Sequence, residues 1–274
     1  MNAESPIVER LQVAIDAARE AGRSTLTHFR SAELTPEHKA DGTVVTAADR
    51  EAEIVLRDRL GGSFPTDGIL GEEDDEQHGT SGYRWIVDPI DGTVSFVHGV
   101  PLYGTLVGLE YDDRCVAGVI YMPGLDELVY AADGQGAWQQ RGAEAPRPAR
   151  VSDTAHLREA MLSTTSIDYF RDRNAEGVYE ELIRHVRMTR GWGDCYAHLL
   201  LATGRVDLVV ETVLSPWDIA AIIPIVREAG GRYSDWTGHE TAHSPQGVST
   251  NGLLHDEALA LLGPFADQLA SSLP

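Results

Sequence analysis

The chain contains the stretch Trp85-Ile86-Val87-Asp88-Pro89-Ile90-Asp91-Gly92-Thr93, in which an apolar run ends in an acid. Such a run is typical of a buried strand, and Pro89 then stiffens a turn that leads to a second acid. We expect this turn to bring the carboxylates of Asp88 and Asp91 and the Ile90 carbonyl around one hard cation. Mg²⁺ prefers oxygen ligands of this kind. The stretch therefore predicts a metal site at the end of a strand.

The two residues that close this stretch, Gly92 and Thr93, predict a second property of the site. They let the chain turn into a short helix, and the first N–H groups of a helix have no partner within it. We expect these groups to face an anion such as a phosphate. The spacing leaves an alternative open, in which Asp88 and Asp91 are only turn formers and helix caps.

Two further acids lie in comparable local contexts. Glu72 follows the apolar pair Ile69-Leu70, where an acid leaves the end of a predicted strand. Asp218 lies just inside a helix that is predicted to begin after Ser215, and an aspartate at a helix start is often only a cap. Taken singly, each of these two acids favours the structural interpretation over a metal ligand.

Hydrophobic periodicity predicts alternating helices and mixed sheets, which indicates a layered α/β or α+β sandwich. Three strands separated by short turns are expected to form an antiparallel meander. The predicted helices cover residues 6–29, 47–60, 175–185, 194–202, 216–228 and 255–270, and the predicted strands cover residues 83–87, 103–109, 116–121, 127–131, 160–163 and 206–210.

Length, composition and charge limit the classes of protein. The 274 residues suit one domain, 1–274, with two closely packed subdomains of roughly 1–150 and 151–274. The net charge is −21 and Lys39 is the only lysine, so nucleic acids and anionic membranes are unfavourable partners. The chain lacks a long uncharged apolar run, and charged residues interrupt its first helical pattern. We expect a cytoplasmic protein with two reduced cysteines, Cys115 and Cys195.

Together, the acidic motifs resemble those of the inositol monophosphatase superfamily, in the same order and at similar separations. The motifs are Val45-Thr46-Ala47-Ala48-Asp49, Gly71-Glu72-Glu73, the run from Asp88 to Thr93, Pro216-Trp217-Asp218 and Glu228-Ala229-Gly230-Gly231. The resemblance covers nearly the whole chain. It implies an αβαβα sandwich of the sugar-phosphatase type, hydrolysis of small phosphate esters, Mg²⁺ dependence and a homodimer. Bound cations would also explain how so acidic a chain receives an anionic substrate.

The resemblance also implies roles for individual residues. Glu72, Asp88 and the Ile90 carbonyl would hold one Mg²⁺, and a third ion would bind near Glu72. A second Mg²⁺ would be held by Asp88, Asp91 and Asp218. The mechanism we expect is in-line attack on phosphorus by a metal-activated water, without a phosphoenzyme.

The remaining implied roles concern the nucleophile and the phosphate. Asp49 and Thr93 would position the nucleophilic water, with Glu72 as a further catalytic residue. Asp91, Gly92, Thr93 and Asp218 would contact the substrate.

The alcohol part of the substrate is predicted from Gly191-Trp192-Gly193-Asp194-Cys195-Tyr196, which resembles the histidinol-phosphate phosphatase branch of the superfamily. A carboxylate suits the ammonium group of histidinol phosphate better than a hydroxyl. We expect Asp194 to bind it, with Glu211 as a second acid. Glu211 also matches a substrate contact of the superfamily, so its role does not separate the two substrates. Trp192 and Tyr196 are expected to pack against the imidazole. Val94 departs from the family pattern, with little expected consequence.

Several alternatives stay open at this point. Asp194 is also a candidate helix N-cap, and the two aromatic residues are candidates for core packing. Inositol 1-phosphate, or a broader set of esters, is the alternative substrate, and a non-catalytic metal- or phosphate-binding protein is the alternative class. His98 is predicted to be structural, and the segment Gly134-Gln135-Gly136-Ala137 is predicted to be a plain turn because it lacks the lysine of a phosphate loop.

Overall fold

The computed structural model describes residues 6–39 and 42–270, with side chains through residue 266. The described helices are α1 Pro6–Thr25, α2 Ala47–Ser63, α3 Thr93–Val97, α4 Ile167–Asp172, α5 Glu176–His185, α6 Asp194–Ala202, α7 Pro216–Ile219, α8 Ile222–Glu228 and α9 His255–Ala270. The described strands are β1 Glu37–His38, β2 Val44–Val45, β3 Gly68–Gly71, β4 Tyr83–Asp91, β5 Gly104–Tyr111, β6 Arg114–Met122, β7 Glu127–Ala132, β8 Ala137–Arg141, β9 Arg147–Pro148, β10 Met161–Ser163, β11 Met188–Arg190, β12 Leu208–Glu211, β13 Arg232–Ser234 and β14 Gly247–Thr250.

Two sheets organise these elements. The larger sheet has the order β3-β4-β5-β6-β7-β8-β9, and all of its pairings are antiparallel except β3 with β4. The predicted meander is confirmed as β5, β6 and β7 within it. The smaller sheet has the order β11-β10-β12-β14-β13, with β10 parallel to both of its neighbours.

Three apolar cores separate the layers. Helices α1 and α2 pack on one face of the larger sheet, where Leu11 and Leu56 share a core with Val87. Helices α6, α7 and α8 fill the space between the sheets. Helices α4, α5 and α9 cover the outer face of the smaller sheet, where Val178 and Leu262 meet Leu208 and other strand residues. The expected αβαβα sandwich is confirmed.

The predicted helix over residues 216–228 is wrong in one respect, because it is broken into α7 and α8 at Ala220-Ala221. Pro224 has no backbone N–H, so the Ala220 carbonyl lacks the donor that would continue the helix. The start of α8 instead lies close against β6. A Cβ on Gly118 would come within 1.9 Å of the Ala221 carbonyl oxygen, so only glycine fits there.

Other element ends differ from the predictions by a few residues. The first helix ends at Thr25 rather than residue 29, and Phe29 packs against Phe96 and Tyr103. The strand predicted for residues 83–87 continues to Asp91. No helix in the described ranges has the length and apolar character needed to cross a membrane. The division into subdomains near residue 150 stays a prediction.

Candidate active site

Three aspartates meet where the larger sheet faces α7. Carboxylate oxygens of Asp88, Asp91 and Asp218 lie within 4.8 Å of one another. The first two are buried at the end of β4, where the pairing with β5 shifts register between Asp88 and Asp91. This irregularity lets two acids three residues apart approach the same point. The third is supplied by α7, which packs against β4.

Asp218 is both a helix cap and a member of this acidic cluster. It is the third residue of α7, and its Oδ2 accepts a hydrogen bond of 2.6 Å from the backbone N–H of Ser215. The two interpretations of Asp218 from sequence are therefore compatible. The capping bond uses one carboxylate oxygen and fixes the side chain at the helix start.

Glu72 lies beside Asp88, because β3 and β4 are parallel and Gly71 pairs with Val87. Its carboxylate falls outside the 4.8 Å group, and its nearest cation is the ammonium of Lys39. Lys39 Nζ donates to Glu72 Oε1 at 2.8 Å and to Glu73 Oε1 at 2.7 Å. The only lysine of the chain thus partly neutralises the acidic loop that follows β3.

The charge in this cluster is strongly unfavourable without a cation. Burial, followed by repulsion from neighbouring carboxylates, raises the pKa values of Asp88 and Asp91 well above their ordinary range. Burial likewise raises the pKa of Asp218 to about 7. Buried carboxylates of this kind are stable when they are protonated or bind a cation. The all-oxygen donor set fits a hard divalent ion such as Mg²⁺.

Asp49 and Thr93 are brought together next to this cluster. Asp49 Oδ2 accepts bonds from the Thr46 backbone N–H at 2.8 Å and from the Thr46 hydroxyl at 2.6 Å, in a capping box at the start of α2. Its other oxygen faces the Thr93 hydroxyl at 3.4 Å. That hydroxyl also donates to the Ile90 carbonyl at 3.0 Å. Burial raises the pKa of Asp49, which favours its proton-bound form.

Gly92 joins the acidic cluster to the predicted alcohol pocket. It has a left-handed backbone with φ of 85°. A Cβ at this position would lie 3.0 Å from Asp194 Oδ2, so the absence of a side chain lets the two segments approach.

Asp194 and Glu211, the two acids predicted for the alcohol pocket, are both contacted by one threonine. The Asp194 N–H donates to Thr165 Oγ1 at 2.9 Å, and the Thr165 N–H donates to Glu211 Oε1 at 3.0 Å. The cap of α6 is Gly193, so the alternative in which Asp194 is the N-cap is wrong. Asp194 itself has a left-handed backbone with φ of 55°.

Electrostatics disfavours the simultaneous ionisation of these two acids. Burial raises the pKa of Asp194 to about 6. Burial and the nearby Asp194 raise the pKa of Glu211 to about 8. A ligand cation placed between them would favour their ionised forms and lower both pKa values.

The two predicted aromatic contacts lie in different surroundings. Trp192 packs against the core between the sheets, and its carbonyl accepts a hydrogen bond from Ser163 Oγ at 2.9 Å. Tyr196 packs against the same core and also lines a cavity of about 410 Å³ shared with Gln140, Arg141 and Arg205. None of the acids of the cluster lines that cavity, so core packing accounts for Tyr196 better than contact with imidazole.

Four residues near the site were missed from sequence. Lys39 was visible as the sole lysine, but nothing placed it beside Glu72. Thr165 and Tyr169 belong to no motif that could be recognised in the sequence. In the structure, burial and the nearby Asp194 and other acids raise the pKa of Tyr169. Glu53 is fully buried and accepts the backbone N–H groups of residues 73 and 74, which shapes the acidic loop.

The two minor sequence features have structural roles. His98 Nδ1 contacts the Val94 carbonyl at 2.9 Å at the end of α3, and the side chain is exposed. The glycine-rich segment is a turn between β7 and β8, and Glu228 accepts the N–H groups of Gly134 and Gly136 at 2.9 Å and 2.8 Å. The prediction of a plain turn is confirmed.

Comparison with known proteins gives the context for this geometry. A model of the inositol monophosphatase family matches residues 7–264. The chain belongs to the inositol monophosphatase family. It is 41% identical over 254 residues to a histidinol-phosphatase of Chlorobaculum parvum, with 92% of this chain and 96% of that one covered. It is 39% identical over 252 residues to a histidinol-phosphatase of Mycobacterium tuberculosis, with 92% and 97% covered.

The fold is also that of the family. The solved structure of an inositol monophosphatase from Anabaena has a TM-score of 0.82 and 29% identity, and the match covers 95% of this chain and 97% of that one. As a member of the inositol monophosphatase family, the chain is a phosphatase, and the family is metal-dependent. The acidic cluster at the end of β4 suits that dependence.

Proposed function

We propose that this phosphatase hydrolyses a phosphate monoester whose alcohol carries a positive charge, and that the substrate is histidinol phosphate, released as histidinol and phosphate. The observation that carries the proposal is the pair of buried acids, Asp194 and Glu211, next to the metal cluster. A polyol substrate offers such a pair only hydroxyl groups, whereas an ammonium group offers a charge-assisted hydrogen bond. The names of the two histidinol-phosphatase relatives support the same substrate.

The metal centre of this proposal uses Glu72, Asp88, Asp91, Asp218 and the Ile90 carbonyl. Bound Mg²⁺, as two or three ions, would neutralise the phosphoryl oxygens and acidify water. The ion would compete with the Lys39 ammonium for Glu72, because Glu72 Oε1 accepts a hydrogen bond from that ammonium. A homodimer stays a prediction.

The chain's own residues supply orientation and proton handling. Asp49 and Thr93 hold the attacking water so that its oxygen faces the phosphorus atom opposite the ester oxygen. The new P–O bond forms as the ester P–O bond breaks. Of the two protons of the attacking water, one reaches the leaving alkoxide and the other stays on the phosphate, so the products are the free alcohol and hydrogen phosphate. Gly92 has no side chain, which lets the segment that carries Asp91 lie close to Asp194.

The direct test compares phosphate release from histidinol phosphate and inositol 1-phosphate, each with Mg²⁺ and with EDTA. We expect turnover only with Mg²⁺ and a strong preference for histidinol phosphate. The variant Asp194→Asn should lower kcat/KM for histidinol phosphate by about 100-fold, since it removes a charge from a buried ion pair.

Asn is the natural replacement for Asp194, because it tolerates a left-handed backbone and so changes mainly the charge. Asp113→Asn is the matched control, since Asp113 is exposed and has φ of 59°. A wild-type preference for inositol 1-phosphate would overturn the substrate, and an unchanged preference in Asp194→Asn would overturn the role of Asp194. The second candidate substrate is inositol phosphate, which is supported by the similarity between the fold of this chain and that of the inositol monophosphatase from Anabaena.

A further inference from the structure

Thr165 follows β10 and contacts both acids of the proposed alcohol pocket through a single hydroxyl group. Its Oγ1 accepts the N–H of Asp194 at 2.9 Å and lies 3.1 Å from Glu211 Oε1 and 3.4 Å from Asp194 Oδ1. A threonine hydroxyl has one proton and two lone pairs. Since the Asp194 N–H occupies one lone pair, the proton is directed to a carboxylate, and Glu211 Oε1 is the nearer.

These bonds divide the carboxylate oxygens into two sets. Thr165 binds Glu211 Oε1 through both its N–H and its hydroxyl, and it faces Asp194 Oδ1. Within the described ranges, no protein donor reaches Glu211 Oε2 or Asp194 Oδ2. Thr165 therefore donates to one oxygen of Glu211 and holds Asp194 through the Asp194 backbone N–H. Glu211 Oε2 and Asp194 Oδ2 are left to a ligand.

The backbone around Asp194 also depends on Thr165. Asp194 has φ of 55°, a conformation that costs free energy for a residue with a side chain. Its N–H bond to Thr165 Oγ1 holds it there. The preceding Gly193 lies so close that a Cβ on it would come within 2.2 Å of Thr165 Cα. Thr165 thus contacts the loop through its backbone and its side chain.

We propose that Thr165 is a positioning residue that sets the separation and orientation of Asp194 and Glu211 and thereby selects a cationic alcohol over a neutral one. The proposal rests on the function proposed above, and it assigns Thr165 no contact with the reacting atoms. An ammonium group bound between two carboxylates needs their free oxygens at a fixed separation, whereas a neutral alcohol tolerates wider variation. Loss of the Thr165 hydroxyl should therefore reduce specificity more than turnover.

The test is a series of variants at residue 165, measured with histidinol phosphate and inositol 1-phosphate in saturating Mg²⁺. Thr165→Val keeps the shape and removes the hydroxyl, so KM for histidinol phosphate should rise about tenfold while kcat falls less than about threefold. The ratio of the two kcat/KM values should fall by about the same tenfold. Thr165→Ser, which restores the hydroxyl, should recover the wild-type ratio within about threefold.

Thr164 provides the matched control. It is the adjacent threonine and is buried, and its Oγ1 has no hydrogen-bond partner in the described part of the chain. Thr164→Val should leave KM for both substrates within about twofold of wild type. An equal loss in Thr164→Val and Thr165→Val, or failure of Thr165→Ser to recover the ratio, would overturn the proposal. If valine prevents folding, Thr165→Cys provides a weak donor of serine size, and an intermediate ratio is expected.

A double variant separates this inference from the proposed function. In the Asp194→Asn background, Thr165→Val should change the ratio by less than about twofold, because the pair of charges whose separation Thr165 sets no longer exists. If Asp194→Asn changes the preference and Thr165→Val does not, only the Thr165 inference fails. If Asp194→Asn leaves the preference unchanged, the role proposed above for Asp194 is wrong, and the Thr165 inference is wrong with it.

Discussion

The backbone N–H of Cys195 donates a hydrogen bond to Asp91 Oδ2. Cys195 is the second residue of α6, immediately after Asp194, whereas Asp91 ends β4 of the larger sheet. The bond therefore connects the acidic cluster to the acid pair that we assign to the alcohol. Movement at the start of α6 would displace Asp91 as well, so the two parts of the site are coupled through one backbone group.

Neutralising Asp88 should stabilise the metal-free protein. Asp88 is buried among other acids, and its Oδ1 accepts the Ile90 N–H at 3.0 Å, a bond that an asparagine can keep. In EDTA, Asp88→Asn should raise the free energy of unfolding by about 1 kcal/mol, or the midpoint by about 3 °C. In Mg²⁺ the same variant should lose most of the ion's stabilising effect and nearly all activity.

Thermal unfolding with EDTA and with Mg²⁺ measures both effects. The control is Asp58→Asn, since Asp58 is exposed on α2. A metal-free Asp88→Asn protein that is less stable than wild type would show that the carboxylate is not repelled by its neighbours.

The stability of the metal-free protein should fall as the pH rises through the range in which the site acids ionise. Burial raises the pKa of Asp194 to about 6, of Asp218 to about 7 and of Glu211 to about 8. Between about pH 4 and about pH 8 the folded state holds protons that the unfolded state has released, so ionisation favours unfolding. Urea unfolding in EDTA across this range measures the slope.

Two comparisons make this pH prediction specific. Mg²⁺ should flatten the dependence, because the ion takes the place of the protons. Glu211→Gln should remove the upper part of the slope, near the folded pKa of about 8. Stability that increases across the whole range in EDTA would contradict the prediction.

Lys39 should become more reactive when Mg²⁺ binds. Its ammonium is bonded to Glu72 and Glu73, and its side chain is only 22% exposed. Burial lowers the pKa of Lys39, but the hydrogen bonds with Glu72 and Glu73 outweigh this and raise it. Both features slow reaction with an amine-directed reagent. If Mg²⁺ takes Glu72, the ammonium keeps only its bond to Glu73, and labelling should accelerate about tenfold.

Mass spectrometry resolves this reaction from labelling of the N-terminus, because Lys39 is the only lysine. Glu72→Gln is the matched control and should raise the rate in EDTA while reducing its response to Mg²⁺. A rate that Mg²⁺ lowers would mean that the lysine stays paired beside the ion.

Gly118→Ala should destabilise the contact between β6 and α8. The new Cβ would lie 1.9 Å from the Ala221 carbonyl oxygen, which is a backbone atom that cannot move alone. We expect a loss of about 3 kcal/mol in the free energy of unfolding, the upper range for overpacking. Gly62→Ala is the control, since a Cβ on Gly62 would have no neighbouring atom within 4 Å and α2 favours alanine. Equal midpoints for the two variants in chemical denaturation would rule out this effect.

The order of the elements could be predicted from hydrophobic periodicity, and the metal cluster from spacing and resemblance. Asp88 and Asp91 could be placed because strand and turn signals are local. Thr165 and Lys39 could not, since their partners lie far away along the chain and each contact depends on how sheets and loops are arranged in space. The break at Ala220 was missed although Pro224 is visible, because the surrounding apolar run outweighed one missing hydrogen bond.

Two of the site acids, Asp49 and Asp218, are also the third residues of capping boxes at the starts of α2 and α7. A library of variants that is selected only for folding would therefore retain both acids, although no substrate takes part in the selection. Asp194 caps no helix, so such a screen would restrict it only through its left-handed backbone, which asparagine and glycine also tolerate. Directed evolution of this scaffold should accordingly change the alcohol it accepts more readily than the ions it uses.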